Sequence, residues 1–362
     1  MGIGIKHLQL VVLLRNNPRA TLQQLADQMD VAPNTIRAWI DHLKKENLLR
    51  RDRTINDSIL GERKVSERVG HPDPRLLGLK RVQVMFREIK TYQNYDRIIK
   101  MLDNHPYTYF RARGTAGAPA VYAQFDVPPE EAGRLEELLK LVEGNGWCNS
   151  AVLIDHPTRL ETKDDFTKWN FDEFKWNFDF IRSYTEYKPN GKLPEPNDAR
   201  TQFNGDRLDL YLLRELSINS KVKATDLAKL YEKDVATITR RLNKLREKYL
   251  TKETIIYNRE FFNLNSIFAF SGTMDRNELR KFQMYLHSQN FPFASQFSCN
   301  SADGEFLWYV YCPSGIANQI IKIFLPMTQF LDQMVIDPST SMRYFFYPEN
   351  YDLEQGRWKG GV

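Results

Sequence analysis

Two stretches of this 362-residue chain place basic and hydrogen-bonding side chains at helical spacing around an apolar stripe. In the first, Ile36, Ile40 and Leu43 recur at four and three, which buries them on one helix face and turns Asn34, Thr35, Arg37, Ala38, Asp41 and Lys44 outward. In the second, Ile238, Leu242 and Leu245 form the stripe, and Thr237, Thr239, Arg240, Asn243 and Arg246 face out. Asn and Arg can make bidentate bonds to purine edges in the major groove of DNA, while Lys and Arg at a helix end suit phosphate. Arg50, Arg51 and Arg53 follow the first stretch and Lys252 the second, at positions expected to meet phosphates. The chemistry expected of such faces is recognition of duplex DNA.

Nothing in the chain has the spacing of a catalytic centre. Six histidines show no ligand pattern, and there is no phosphate loop, dinucleotide fingerprint or nucleophile elbow, so no metal, cofactor or catalytic residue is expected. Cys148, Cys299 and Cys312 fit neither a disulfide framework nor a metal knuckle and are expected to be reduced, buried thiols. No apolar run is long enough to span a bilayer, and the opening MGIGIKHLQLVVLLRNN breaks into charge early, so a cytoplasmic location is expected.

The net charge of +5 is unevenly placed. Residues 1–55 hold nine basic and five acidic side chains, residues 205–259 hold thirteen and eight, and the remainder is acidic at 29 against 33. All the net positive charge therefore lies in the two segments that would meet a polyanion.

Those segments repeat. At a constant offset of 202, Leu25 matches Leu227, Ile36 matches Ile238, Leu43 matches Leu245 and Leu48 matches Leu250. Each copy reads as three short amphipathic helices with a tight turn before the third, the helix-turn-helix arrangement. Thr21 with Gln24 is an expected N-cap pair for the second helix, and Pro33 suits a first-turn position. LLRRDRTI and YLTKETIIYN have strand composition and are expected to form a two-stranded wing in each copy. Trp39, the repeat mate of Arg241, is expected to pack.

The regions downstream also repeat, at an offset of 186 that pairs Pro106 with Pro292, Val121 with Leu307 and Phe125 with Tyr311. Each reads as β-α-β-β-α-β, a ferredoxin-like unit with a hairpin at AGAP or SADGE. The expected organisation is α+β: winged helix-turn-helix 1–55, linker 56–75, ferredoxin-like domain 76–162, aromatic strap and linker 163–204, winged helix-turn-helix 205–259 and ferredoxin-like domain 260–362. In the strap, KWNFDEF and KWNFDF would stack Trp169 on Trp176 as a helix or line one face as strands. The sheets are expected to pair through an apolar face, for which Tyr107, Tyr109, Trp308 and Phe345 are candidates.

RATLQQLADQMDVAPNTIRAWIDHLKKENLL and its echo KATDLAKLYEKDVATITRRLNKLREKYL, followed by YNREFFNL, resemble the Lrp/AsnC family of archaeal and bacterial transcription regulators. The resemblance implies a DNA-binding regulator whose second domain dimerises, hence a homodimer, with a small-molecule effector such as an amino acid at the sensor-domain junction. Two departures stand out. The family usually has one copy per chain, and of its loop glycine and acid the first half keeps Gly117 alone and the second Gly304-Glu305. Siroheme decarboxylases resemble the same family in fold and use Arg and His around a tetrapyrrole. In this chain the corresponding YFRARGTAGAPAVYAQF offers Arg111 and Arg113 without a histidine, so an enzyme is the alternative rather than the expected reading.

Overall fold

The computed structural model describes residues 2–49, 53–57, 61–190, 192–193 and 200–360, with the backbone alone for 53–57 and 61–64. The first half runs α1 (Ile5–Asn16), α2 (Leu22–Met29), α3 (Pro33–Lys45), β1 (Arg53–Asp57), β2 (Gly61–Val65) and β3 (Arg68–Pro72). It continues through β4 (Lys80–Arg87), α4 (Tyr92–Asn104), β5 (Thr108–Thr115), β6 (Pro119–Val127), α5 (Ala132–Gly144), β7 (Ser150–Ile154) and β8 (Thr158–Thr162). The strap contributes β9 (Trp169–Asn170), β10 (Lys175–Trp176) and α6 (Phe180–Thr185). The second half repeats the order with α7 (Arg207–Ile218), α8 (Ala224–Leu230), α9 (Val235–Tyr249), β11 (Leu250–Ile255), β12 (Ser266–Met274), α10 (Arg276–His287) and β13 (Ser295–Asn300). It closes with β14 (Glu305–Cys312), α11 (Ser314–Phe324), β15 (Thr328–Ile336), β16 (Met342–Arg343), β17 (Tyr351–Asp352) and β18 (Arg357–Trp358). No helix among the described residues is long and apolar enough to cross a membrane. The three cysteines are free and buried.

The chain folds into two compact units, each drawn from both halves. One holds residues 1–77, 201–261 and 345–359, so it contains both helix-turn-helix heads; the other holds both ferredoxin-like regions.

In the head unit, β1 and β2 form an antiparallel hairpin, the wing of the first head. The linker expected over 56–75 is therefore largely strand. Its β3 pairs antiparallel with β11, from Arg68↔Ile255 to Leu250↔Pro72. The second head consequently has no hairpin of its own among the described residues: the strand expected to start its wing has its edge filled by the first half. Both sequences had strand composition, but composition does not name a strand's partner.

In the other unit the two split β-α-β-β-α-β regions join in one sheet ordered β7-β4-β6-β5-β15-β12-β14-β13-β8, with β16 also on β5. Each half keeps the order 4-1-3-2 of its own strands, and each sends a strand across: β15 and β16 to β5, and β8 to β13. At the first joint a Cβ on Gly114 would lie 2.6 Å from the Val335 carbonyl oxygen, so only glycine lets β15 approach. Turn chemistry fixes both expected hairpins. Gly304 has φ 76° and a Cβ there would strike the Met274 carbonyl, which explains a glycine at the SADGE turn.

On the inner face of this sheet the two halves meet in a cluster of Met85, Ala112, Ala120, Tyr122, Ile154, Ile267, Ala269, Leu307, Tyr309, Met334 and Ile336. Trp308 is not on that face. It lies under the helices, 4.9 Å from Phe282 of α10 and 5.7 Å from Phe324 of α11 between ring centroids. The repeat offset of 186 is therefore one residue short in this strand: Tyr122 mates with Tyr309 and Val121 with Trp308, because Met85↔Tyr122 and Ala269↔Tyr309 are the facing pairs. A one-residue slip turns a strand's side chains to the opposite face. Phe345 lies in the head unit. The tandem aromatic words form the β9–β10 hairpin, which sets Trp169 opposite Trp176 and packs Trp176 against Phe293 at 4.9 Å.

Candidate nucleic-acid interface

The two heads are built by the same local devices. Thr21 caps α2, its hydroxyl accepting from the Gln24 amide while the Gln24 side chain accepts from the Thr21 amide, as the spacing predicts. Asp30 then takes φ 52° and its repeat mate Glu232 takes φ 51°, so each turn is closed by one left-handed residue. Pro33 occupies the first turn of α3, and Asp234 caps α9 through the Thr237 amide at 2.7 Å.

Each third helix buries the expected stripe: Ile36 and Leu43 fully with Ile40 half-buried, and Ile238, Leu242 and Leu245 fully. On α3, Asn34, Arg37, Ala38 and Asp41 are exposed and Thr35 half-buried. On α9, Thr239, Arg240 and Asn243 are exposed and Thr237 half-buried, with the Thr239 hydroxyl returned to the Val235 carbonyl at 2.7 Å. Arg37 and Arg240 make no ion pair with any described residue, which leaves both guanidinium forks available to a ligand.

Two of the expected outward residues are engaged instead. Arg246 is half-buried, bonded to the Ser220 carbonyl at 3.0 Å and 3.5 Å from Glu253, so it braces the head; burial lowers its pKa and Glu253 offsets that. Lys44 lies 3.3 Å from Glu67. Lys252 is half-buried on β11 opposite His71. Of the first wing, Arg50 and Arg51 lie outside the described residues, and Arg53 is placed by its backbone as the first residue of β1.

Trp39 packs, its ring 5.6 Å edge-on from His7 of α1. Its mate Arg241 instead bridges to the start of α7, bonding Asp206 at 2.7 Å and Asp209 at 2.8 Å; the hydrogen bond to Asp206 raises its pKa. One position thus ties the third helix to the first helix by ring contact in one head and by ion pair in the other. Sequence reasoning missed that role for Arg241 and passed over Lys45 and Lys244, both exposed near the outward face. Their helical spacing from Arg37 and Arg240 was the available signal.

Known proteins frame this geometry. The MarR family profile matches residues 5–58, the first head and the start of its wing. The crystal structure of the siroheme decarboxylase NirDL covers 91% of this chain and 90% of its own at 11% identity, with a TM-score of 0.50. Escherichia coli AsnC, at 17% identity and TM-score 0.32, covers 42% of this chain and 91% of its own. Bacillus subtilis LrpC, at 16% and 0.31, covers 42% and 94%. No curated protein sequence matches the chain. The chain therefore has the α+β fold of NirDL along nearly its whole length, with a MarR-type winged helix-turn-helix at its start.

Proposed function

We propose that this chain is an Lrp/AsnC-like transcription regulator that binds duplex DNA through two non-equivalent heads, α3 and α9 being the reading helices. The observation that carries this is the state of those helices: the stripes are buried in each head, while Asn34, Arg37, Ala38 and Asp41 on one and Thr239, Arg240 and Asn243 on the other stand exposed. Only the first head has a described wing hairpin, which adds a second asymmetry. The pairing of two sensor-like sheets within one chain supplies the frame that two copies supply in a homodimer, and frees the heads to differ. Selection of bound sequences from a random duplex pool tests this, with a two-part, non-palindromic motif as the expected product.

The likeness to NirDL favours a second reading, a tetrapyrrole enzyme. The arginines do not fit it. Arg111 bonds Asp103 at 2.9 and 3.2 Å, the Tyr344 hydroxyl at 3.1 Å and the Thr340 carbonyl at 2.8 Å. Arg113 bonds Asp96 at 3.1 Å and stacks on Tyr95 at 4.7 Å. A cofactor's carboxylates would have to displace these partners. Titration with siroheme, followed by its Soret band, separates the readings: no shift is expected.

A further inference from the structure

Helix periodicity gathers the first, second, fifth, sixth and ninth positions of a helix onto one face, and when a reading helix lies in the major groove the N-terminal residues of its outward face meet base edges. On α3 those positions hold Pro33, Asn34, Arg37, Ala38 and Asp41; on α9 they hold Val235, Ala236, Thr239, Arg240 and Asn243. The heads differ most at the leading end. There the first head presents the amide of Asn34 and the guanidinium of Arg37, both exposed, beside a half-buried Pro33. The second presents Val235 at 45% exposure and an exposed Ala236, followed by an exposed Thr239 whose hydroxyl donates to the Val235 carbonyl at 2.7 Å. The Thr239 proton is thereby spent on its own helix, and the Asp234 carboxylate is spent on the Thr237 amide at 2.7 Å. What this end offers a base edge is methyl groups.

A lone exposed valine is ordinary on a protein surface. Its setting is not. Leu230, also 45% exposed, closes α8 on the other side of the turn, so two exposed aliphatic side chains bracket the approach to α9. Their repeat mates in the first head, at the offset of 202, are Gln28 and Pro33. A head with thirteen basic against eight acidic residues thus carries aliphatic groups at the tip of its third helix. That combination suits a polyanion with an apolar group on its readable edge, and the C5-methyl of thymine is the one apolar group that a standard base pair shows in the major groove.

We infer that Val235, with Ala236 and the Thr239 methyl, reads thymine C5-methyl groups, so that the second head recognises T·A pairs by apolar contact where the first head uses hydrogen bonds. The inference rests on the DNA-binding reading above and deepens it by naming the base pairs. Burying a thymine methyl against these side chains removes apolar surface of both partners from water. Uracil keeps the O4 acceptor of thymine and lacks only the methyl, so it forfeits that gain and nothing else.

The test uses the full chain and the duplex it selects from a random pool, with binding measured by fluorescence anisotropy. Arg240→Ala first identifies the half-site of the second head as the one whose preference relaxes. Each thymine of that half-site is then replaced by deoxyuridine, one at a time. At one or two positions the replacement should weaken binding by about fourfold, the worth of one buried methyl-sized group. Val235→Ala should shrink one of those penalties to about twofold or less, and leave the uracil penalties of the other half-site as they were. Its salt slope should match the parent's because no charge is altered, and its melting temperature should hold or rise because alanine is the better helix former. A second half-site without thymine, uracil replacements that leave affinity intact, or penalties that Val235→Ala does not reduce overturn the methyl reader while leaving the reading heads standing. A parent chain that binds no duplex at low salt, or an Arg240→Ala chain with an unaltered motif, instead overturns the reading role of α9 itself.

Discussion

The phenol ring of Tyr122 lies stacked on that of Tyr309, centroids 5.1 Å apart and planes 23° from parallel. The two are structural mates from the two halves, so the halves meet through a like pair of rings. Their surroundings are unlike. The Tyr122 hydroxyl accepts from the Gln83 amide at 3.2 Å and the Gln124 amide at 2.7 Å, whereas Tyr309 bonds Tyr311 at 3.3 Å. Gln124 also bonds Gln296, and Ser298 donates to Gln83, so one half's polar side chains reach the other's.

Removal of the two hydroxyls should therefore have unequal effects. Tyr122→Phe leaves two buried amide donors without their acceptor and should cost about 1–3 kcal/mol, against less than about 1 kcal/mol for Tyr309→Phe. Urea unfolding followed by near-ultraviolet circular dichroism reads the difference. Equal losses would mean that the glutamines find other acceptors.

Gly114→Val should be among the most disruptive single changes in the sheet unit, because its Cβ would sit 2.6 Å from the Val335 carbonyl at the joint of β5 and β15. A loss of about 3 kcal/mol or more is expected, measured as a fall in unfolding midpoint. A variant as stable as the parent would show that β15 can withdraw without cost.

Acid should loosen the first ferredoxin-like region through His105. Its ring is edge-on to Phe125 at 4.9 Å, its Nδ1 accepts from the Tyr107 amide at 3.2 Å, and burial pushes its pKa down to about 4. The unfolded chain takes up this proton near pH 6.5 and the folded chain only near 4. The site's contribution is thus complete above about 6.5 and is lost as pH falls through that window. His105→Asn keeps an acceptor for Tyr107 without the titration, and its stability should fall less between pH 7 and 4 than that of the parent. Parallel stability curves would remove His105 from the explanation.

Arg37→Ala and Arg240→Ala should each cost about 1–3 kcal/mol of DNA affinity and relax preference at one half-site only. Comparing motifs selected by the parent and the two variants checks both at once. If affinity and motif survive both changes, the exposed faces of α3 and α9 are not the reading surfaces.

Features that depend on near neighbours can be read from the chain alone. The stripe of Ile36, Ile40 and Leu43, the cap of Thr21 with Gln24, the punctuation at Asp30 and Pro33 and the order β-α-β-β-α-β in each half were all legible, because a helix period, a cap or a turn is written within a few residues. Tertiary structure decided the partners. β11 carries the composition of a wing strand, yet its edge is filled by β3, some 180 residues earlier in the chain, and the first head alone keeps a described hairpin. β8 and β15 cross between halves for the same reason: a strand's free backbone groups accept any complementary edge, and which edge arrives depends on the whole chain. Register was lost in the same way. Trp308 and Tyr309 are adjacent in sequence, and a shift of one residue in aligning the halves exchanged the ring that packs beneath the helices for the ring that meets Tyr122. Arg246 looked outward by helical spacing but turns toward Glu253 of β11, the carboxylate that Arg19 of the first half also bonds.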